Sequence, residues 1–321
     1  MSDGFDYVIA GAGTAGCVLA NRLSAEAIGT VMLIEAGPPD DDPAIHVPAM
    51  VAKAIGNPRQ SWSYQTVPQR QVDNRALPVP RGRVLGGCSS INGMVYFRGH
   101  PREYDEWHQP GWRYADLLPY FERLENYEAA HTPQRKRGGP VNVIDIPKPN
   151  PLIRRFLSAA DTLGLPRCDD FNGGDPEGFG PRQAAIRNGR RESGVTAYLN
   201  PARHRPNLNI VTGALVTRVL FQGRRATGLE IEKDGVRSIV QARREVIIAC
   251  GAYGSPQLLQ LSGIGDAAAL QSVGVTPLLD LPAVGRNLHD HPAASIAMRE
   301  SERSCFKGFS AGRLPFCVRS R

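Results

Sequence analysis

Cysteine is scarce in this chain, aromatics are sparse, and long apolar runs are lacking. Six cysteines in 321 residues (Cys17, Cys88, Cys168, Cys250, Cys305 and Cys317) form neither a CxxC pair nor a zinc-type spacing. That argues against a disulfide framework and against structural zinc, and it fits reduced thiols in a reducing compartment. No apolar run reaches the roughly eighteen residues that a membrane-spanning helix needs. The opening Met1-Ser2-Asp3-Gly4 lacks the basic and apolar stretches of a secretory leader. The expected address is therefore the cytoplasm, with peripheral attachment at the inner face of the membrane left open. The net charge is +7, yet no long Lys/Arg run occurs along the body of the chain, so no nucleic-acid partner is expected. What is present is a 41% hydrophobic content, enough for the core of one large domain or of two intertwined ones.

The chain opens on a buried-strand pattern, Phe5 to Ala10, followed at once by Gly11-Ala12-Gly13-Thr14-Ala15-Gly16 and an apolar-periodic helix through Leu23. A second strand, Thr30 to Glu35, closes a βαβ unit. Gly11, Gly13 and Gly16 fit a dinucleotide fingerprint for separate reasons. The first permits the tight turn, the second lets a pyrophosphate lie against the backbone, and the third lets helix pack on strand. The phosphates would sit at the helix N-terminus, beside Thr14 and Ala15. Glu35 ends the next strand, where its carboxylate can accept hydrogen bonds from an adenosine ribose and disfavours a 2′-phosphate. The fingerprint alone does not separate FAD from NAD.

Beyond it, Ala36 to Arg83 is Pro-rich and irregular, too long for an ordinary loop and expected to cover a site. A small-residue run from Arg81 to Tyr96 permits close approach of backbone to a ligand. A helix is expected from about Tyr114 to Tyr127, then a basic loop from His131 to Gly139, then a less regular region from 140 to 205. Short strands at 208–212, 215–221, 226–231 and 238–242 read as a β-meander. A buried strand, Glu245 to Cys250, follows and ends at Gly251, and Ser255-Pro256 offers an N-cap and N1 proline for the next helix.

Two further segments carry a family resemblance. Gly82-Arg83-Val84-Leu85-Gly86-Gly87 through Ile91-Asn92, with Tyr96, Gly99 and Asp105, resembles one signature of the glucose-methanol-choline (GMC) oxidoreductases, and Gly251 through Gly265 resembles the other. Val284 to Pro292 is similar to the family's closing loop. Within the family, the choline dehydrogenase-like, alcohol-oxidising bacterial members are the most similar, over about Phe5 to Met298. The fold this implies is α/β: an FAD-binding Rossmann-like domain with an inserted β-meander and a partial α+β substrate-binding domain. The expected division is 1–130 and 206–298 for the two parts of the FAD-binding domain, 131–205 for a partial substrate or cap region, and 299–321 for a tail outside the family pattern.

The resemblance implies that Gly11, Gly13, Thr14, Ala15, Gly16 and Glu35 hold the ADP half of FAD. It further implies that Val84, Gly86, Gly87, Asn92, Gly93, Met94 and Val95 lie along the pyrophosphate and flavin ring, that Val216 offers backbone to adenine, and that Gly251 turns the chain beside the cofactor. Cys88 stands where a serine, threonine or glycine is usual in the family. Ile91 occupies the position of a flavin-linked histidine in some relatives, so attachment is expected to be noncovalent. The implied chemistry is oxidation of the CH–OH group of a primary alcohol, choline or aliphatic, with hydride passing to the flavin N5 and an outside acceptor, quinone or oxygen, left open. No residue here is assigned as catalytic, because the family's catalytic histidine lies in a C-terminal segment that none of His46, His100, His108, His131, His204, His289 and His291 matches. An inactive FAD- or ADP-binding fragment therefore stays open beside the enzyme. The last 23 residues hold six of the basic and two of the acidic side chains, a net +4 of the +7. They carry no periodicity or family motif, and the expectation is a shortened or out-of-frame end.

Overall fold

A computed structural model describes residues 4–25, 28–129, 133–146 and 151–291. The tail 299–321, with Cys305 and Cys317, and His131 of the basic loop lie outside the described residues, as does the segment from Pro292 to Met298 where the family resemblance was expected to end.

The central sheet has six strands in the order β10-β2-β1-β13-β12-β11. In chain order these are β1 (Phe5–Ala10), β2 (Val31–Ile34), β10 (Leu208–Val211), β11 (Ala214–Gln222), β12 (Arg225–Lys233) and β13 (Val236–Ile248). Smaller pairings lie between them: a ribbon of β3 (Ser61–Gln65) with β4 (Pro78–Gly82), a three-stranded group of β5 (Glu125–Tyr127), β6 (Val141–Asp145) and β7 (Gln183–Ala184), and a short pair of β8 (Ile186–Arg187) with β9 (Arg190–Arg191). Neighbours β10, β2, β1 and the end of β13 run parallel, whereas β13, β12 and β11 form the antiparallel meander.

Both faces of the sheet are covered, which explains why β1 reads as a continuous apolar run instead of an alternating one. Val8, Ile9 and Ala10 are fully buried. Ile9 points into a cluster with Leu33, Cys17, Val195 and Leu199, under helix α1 (Thr14–Leu23) and the π-helical turn Val195–Leu199. Val8 and Ala10 point the other way, among Ile34, Val219, Leu229 and Leu258. Each large side chain so buried stabilises the fold by about 1.5–3 kcal/mol relative to exposure.

Four sequence expectations are corrected. Leu208–Val211 is the parallel edge of the central sheet, paired with β2, and does not belong to the meander. The strands expected at 238–242 and 245–250 are one strand, β13, whose first half pairs with β12 and whose second half pairs with β1. This continuity welds meander to core. The helix expected from Ser255 begins at Gly251, with Cys250 at its cap and Pro256 inside. Pro256 lies in the second turn, where it removes one interior N–H donor. The Tyr114 helix ends at Leu124, its expected last turn being β5. The Pro-rich excursion is also more ordered than its composition indicates. Pro78 and Pro80 sit in β4, tolerated because a two-stranded ribbon has free edges.

Candidate functional site

A cavity of about 1060 Å³ opens where β1, β2 and β13 end and α1 begins. Its walls are the turn Gly11, Gly13, Thr14 and Ala15, then Glu35, Gly87 and Cys88, the meander from Ala214 to Arg218, the start of the Gly251–Leu261 helix, and Trp62, Tyr64 and Arg81 from the β3–β4 ribbon. That is the carboxyl edge of the parallel strands, where ligands of open α/β sheets gather. Its volume is at the upper end for small-molecule sites.

The three fingerprint glycines are small for different reasons. A Cβ on Gly11 would meet the Ala249 carbonyl oxygen at 2.6 Å, and Gly11 has φ +93°. A Cβ on Gly16 would lie 2.0 Å from the Gly11 carbonyl oxygen. Both requirements are internal to the protein. At Gly13 they are absent: the backbone (φ −69°, ψ −168°) suits any residue, and the nearest atom to an added Cβ is the Ala249 oxygen at 3.9 Å. The protein itself leaves room for a side chain at Gly13, which stands on the cavity wall. Helix α1 begins there with no side-chain cap and no acidic residue in its first turn, leaving its N–H groups and dipole directed at the cavity.

The second glycine segment closes on the first. Gly86 N–H donates to the Ala12 carbonyl (2.8 Å), and a Cβ on Gly87 would lie 2.8 Å from the Gly13 Cα. Glu35 is buried beside both. Its Oε2 accepts from Ala12 N–H (3.0 Å) and its Oε1 from Gly37 N–H (2.9 Å). Burial raises its carboxyl to about 7, against the opposing pull of those N–H groups and of Arg83. On the opposite wall, Trp62, Tyr64 and Tyr253 stack at centroid distances of 5.8 and 5.7 Å, with Arg83 over Trp62 and Arg81 over Tyr253. Arg81, Arg218 and Arg237 also line the cavity, together with Glu35 and Glu230; Arg81 is paired with Asp290, and Arg237 with Glu230 and Glu232.

Of the sequence candidates, Gly11, Gly13, Thr14, Ala15, Glu35, Gly87, Val216 and Gly251 line this cavity. Gly16 and Gly86 support it from behind through the contacts just given. Val84 is buried in a separate cluster with Ile91, Ala44 and Ile45. Asn92, Gly93, Met94 and Val95 follow the second glycine segment outside the cavity wall, with Asn92, Gly93 and Val95 exposed. Sequence reasoning missed Trp62 and Tyr64; their alternation across Ser63 in β3 was the available signal. A neighbouring pocket of about 550 Å³, lined by Tyr253, Gln257, Gln260 and residues 285–289, includes His289. Among the described residues, no cluster of three or more His, Cys, Asp or Glu could hold a metal ion, and no helix is long and apolar enough to cross a membrane.

A family model described as GMC oxidoreductase matches residues 5–293. The chain belongs to the GMC oxidoreductase family. Among curated GMC relatives, an oxygen-dependent choline dehydrogenase from Brucella anthropi is 45% identical over 289 residues, covering 89% of this chain and 52% of the relative. One from Photobacterium profundum is 44% identical over 299 residues, covering 91% and 52%. The chain thus spans about half the length of the curated relatives it matches. Among solved structures, pyridoxine 4-oxidase from Mesorbium loti superposes with a TM-score of 0.83 at 36% identity, covering 86% of this chain and 55% of that one. An FAD-dependent oxidoreductase from Chaetomium thermophilum gives 0.79 at 32% identity, covering 87% and 51%. The GMC match spans all three sequence motifs, and the part of the GMC fold present here is the α/β half that forms the cavity.

Proposed function

We propose that this cavity binds FAD and that the chain serves oxidation of the CH–OH group of a primary alcohol, choline or an aliphatic alcohol. The observation that carries the reading is Gly13: a glycine that neither its backbone conformation nor its protein neighbours require, set on the cavity wall at the uncapped start of α1. The residues fit the group. The first turn of α1, with Thr14 and Ala15, would receive the pyrophosphate. Glu35 would accept from the adenosine ribose, and Val216 would offer backbone to adenine. Gly87, Asn92, Gly93, Met94 and Val95 would follow the pyrophosphate and flavin half, and Gly251 would give room at the cofactor's edge. When bound, FAD supplies the hydride acceptor.

In this reading residues 1–130 and 206–298 build the flavin domain and 131–205 a partial substrate region. Ile91 is a buried aliphatic side chain with no atom to bond a flavin, which supports noncovalent attachment. The free thiols Cys17, Cys88, Cys168 and Cys250 support a cytoplasmic address. Relatives named oxygen-dependent support oxygen as the electron acceptor.

One observation favours a second reading, flavin binding without turnover: among the described histidines none lines the large cavity. A general base near neutral pH is what alcohol oxidation requires. Adding choline or a primary alcohol anaerobically to the FAD-loaded chain separates the two. Bleaching of the flavin absorbance supports oxidation, an unchanged spectrum supports binding alone, and a chain that takes up no FAD refutes both.

A further inference from the structure

Arg191 is a charge buried in the described interior. It is 2% exposed, yet among the described residues no carboxylate pairs with it. Its Nε donates to the Ile45 carbonyl (2.7 Å), and its Nη1 faces the Ser89 carbonyl (3.2 Å), the Asn92 carbonyl (2.7 Å) and the Asn92 Oδ1 (2.8 Å). Its Nη2 is buried with no partner among the described residues. Burial pushes the guanidinium down to about 10, so it stays charged near neutral pH. A buried cation without a counter-charge is costly and calls for a reason.

The reason lies at Asn92. Its Oδ1 also accepts from the Met94 N–H (3.0 Å), across a Met94 backbone held at φ +59°. Two donors therefore meet the same atom, and rotating the amide would set N–H against N–H. The oxygen is locked inward. The Nδ2 donor is left outward on an exposed residue, with no partner among the described residues.

We propose that Arg191 is a positioning residue that holds the Asn92 amide so that its Nδ2 donates to the flavin half of FAD, its unpaired positive charge lying behind that contact. This rests on the flavin reading above. The same arrangement explains the missing carboxylate. An acid near Arg191 would neutralise the charge and repel the anionic cofactor.

Asn92→Asp separates this role from a structural one. The substitution keeps the acceptor that Arg191 and Met94 use, gives Arg191 a counter-charge, and removes the outward donor. The full chain should melt at a higher temperature, while binding FAD about tenfold more weakly and ADP within about twofold of the wild type. Arg191→Lys combined with Asn92→Ala should bind FAD no more weakly than Asn92→Ala alone, since both act through one contact. If Asn92→Asp leaves the FAD-to-ADP affinity ratio unchanged, or if the double variant is additive, the inference is overturned while the flavin reading stands. A wild-type chain that binds ADP but no FAD removes the flavin reading itself, and this inference with it.

Discussion

Gly13→Ala tests the cavity without testing the fold. The free chain has room for the added methyl, the nearest heavy atom being 3.9 Å away, and a backbone that alanine adopts freely. Two stability effects oppose each other. Alanine is a poorer N-cap than glycine by a fraction of a kcal/mol to about 1 kcal/mol, and it restricts the unfolded chain by about 0.4–1 kcal/mol. The expected change in unfolding free energy is within about 0.5 kcal/mol of zero. Binding is different, because in the proposed reading the methyl enters the space that the pyrophosphate would occupy against the backbone. Overpacking of about 1–3 kcal/mol corresponds to roughly 5- to 150-fold weaker FAD binding. Gly16→Ala is the counterpart. Helix propensity alone would favour alanine by about 1 kcal/mol, but the Cβ would lie 2.0 Å from the Gly11 carbonyl oxygen, and the helix must shift. The expected net is a loss of about 2 kcal/mol or more. Urea unfolding of the free chains and flavin-fluorescence titration of each give both numbers. A Gly13→Ala chain that unfolds early, or that binds FAD like wild type, would refute the assignment of that glycine to the ligand.

Three other outcomes are expected. Burial holds the Glu35 carboxyl near 7 in the free chain, and in the proposed reading ribose hydroxyls donating to it would favour the charged form. FAD binding at pH 7 should therefore release about half a proton, with affinity rising towards pH 7 and levelling above it; calorimetry in buffers of different ionisation enthalpy measures this, and Glu35→Gln should abolish it. The same displacement, from 4.5 to about 7, makes this group's contribution to the stability of the free chain fall by about 3 kcal/mol as pH rises between those values, with no further loss above. Glu35→Gln should flatten that part of the pH–stability curve, and an unaltered slope would contradict the burial account. Cys88 is exposed on the cavity wall, whereas burial raises Cys17 to about 12 and Cys250 to about 11. With Cys305 and Cys317 replaced by serine, a thiol reagent should modify Cys88 first and bound FAD should protect it; equal labelling with and without FAD would count against Cys88 facing the cofactor.

The βαβ start was legible because local signals agreed there: a doubly buried strand, three glycines at turn spacing, and an acid ending the next strand. The role of Leu208–Val211 was not, since a four-residue strand beside a meander carries no mark of pairing in parallel with a strand some 175 residues earlier. The single long β13 was equally hidden, because Arg243 and Arg244 interrupt its apolar pattern where it passes from one partner strand to the other. Ser255-Pro256 misled by being a good helix start in isolation, whereas the turn at Gly251, with φ +78°, begins the helix earlier. Arg191 sits in an Arg-rich stretch, and only its surroundings distinguish the buried guanidinium from exposed Arg190 beside it.

The most direct test is the visible spectrum of the full chain after incubation with FAD and removal of free flavin by gel filtration. The account predicts flavin bands that travel with the protein at about one FAD per chain, and free FAD in the supernatant after acid precipitation. A colourless protein peak would contradict the flavin site, and colour retained on the precipitated chain would contradict noncovalent attachment.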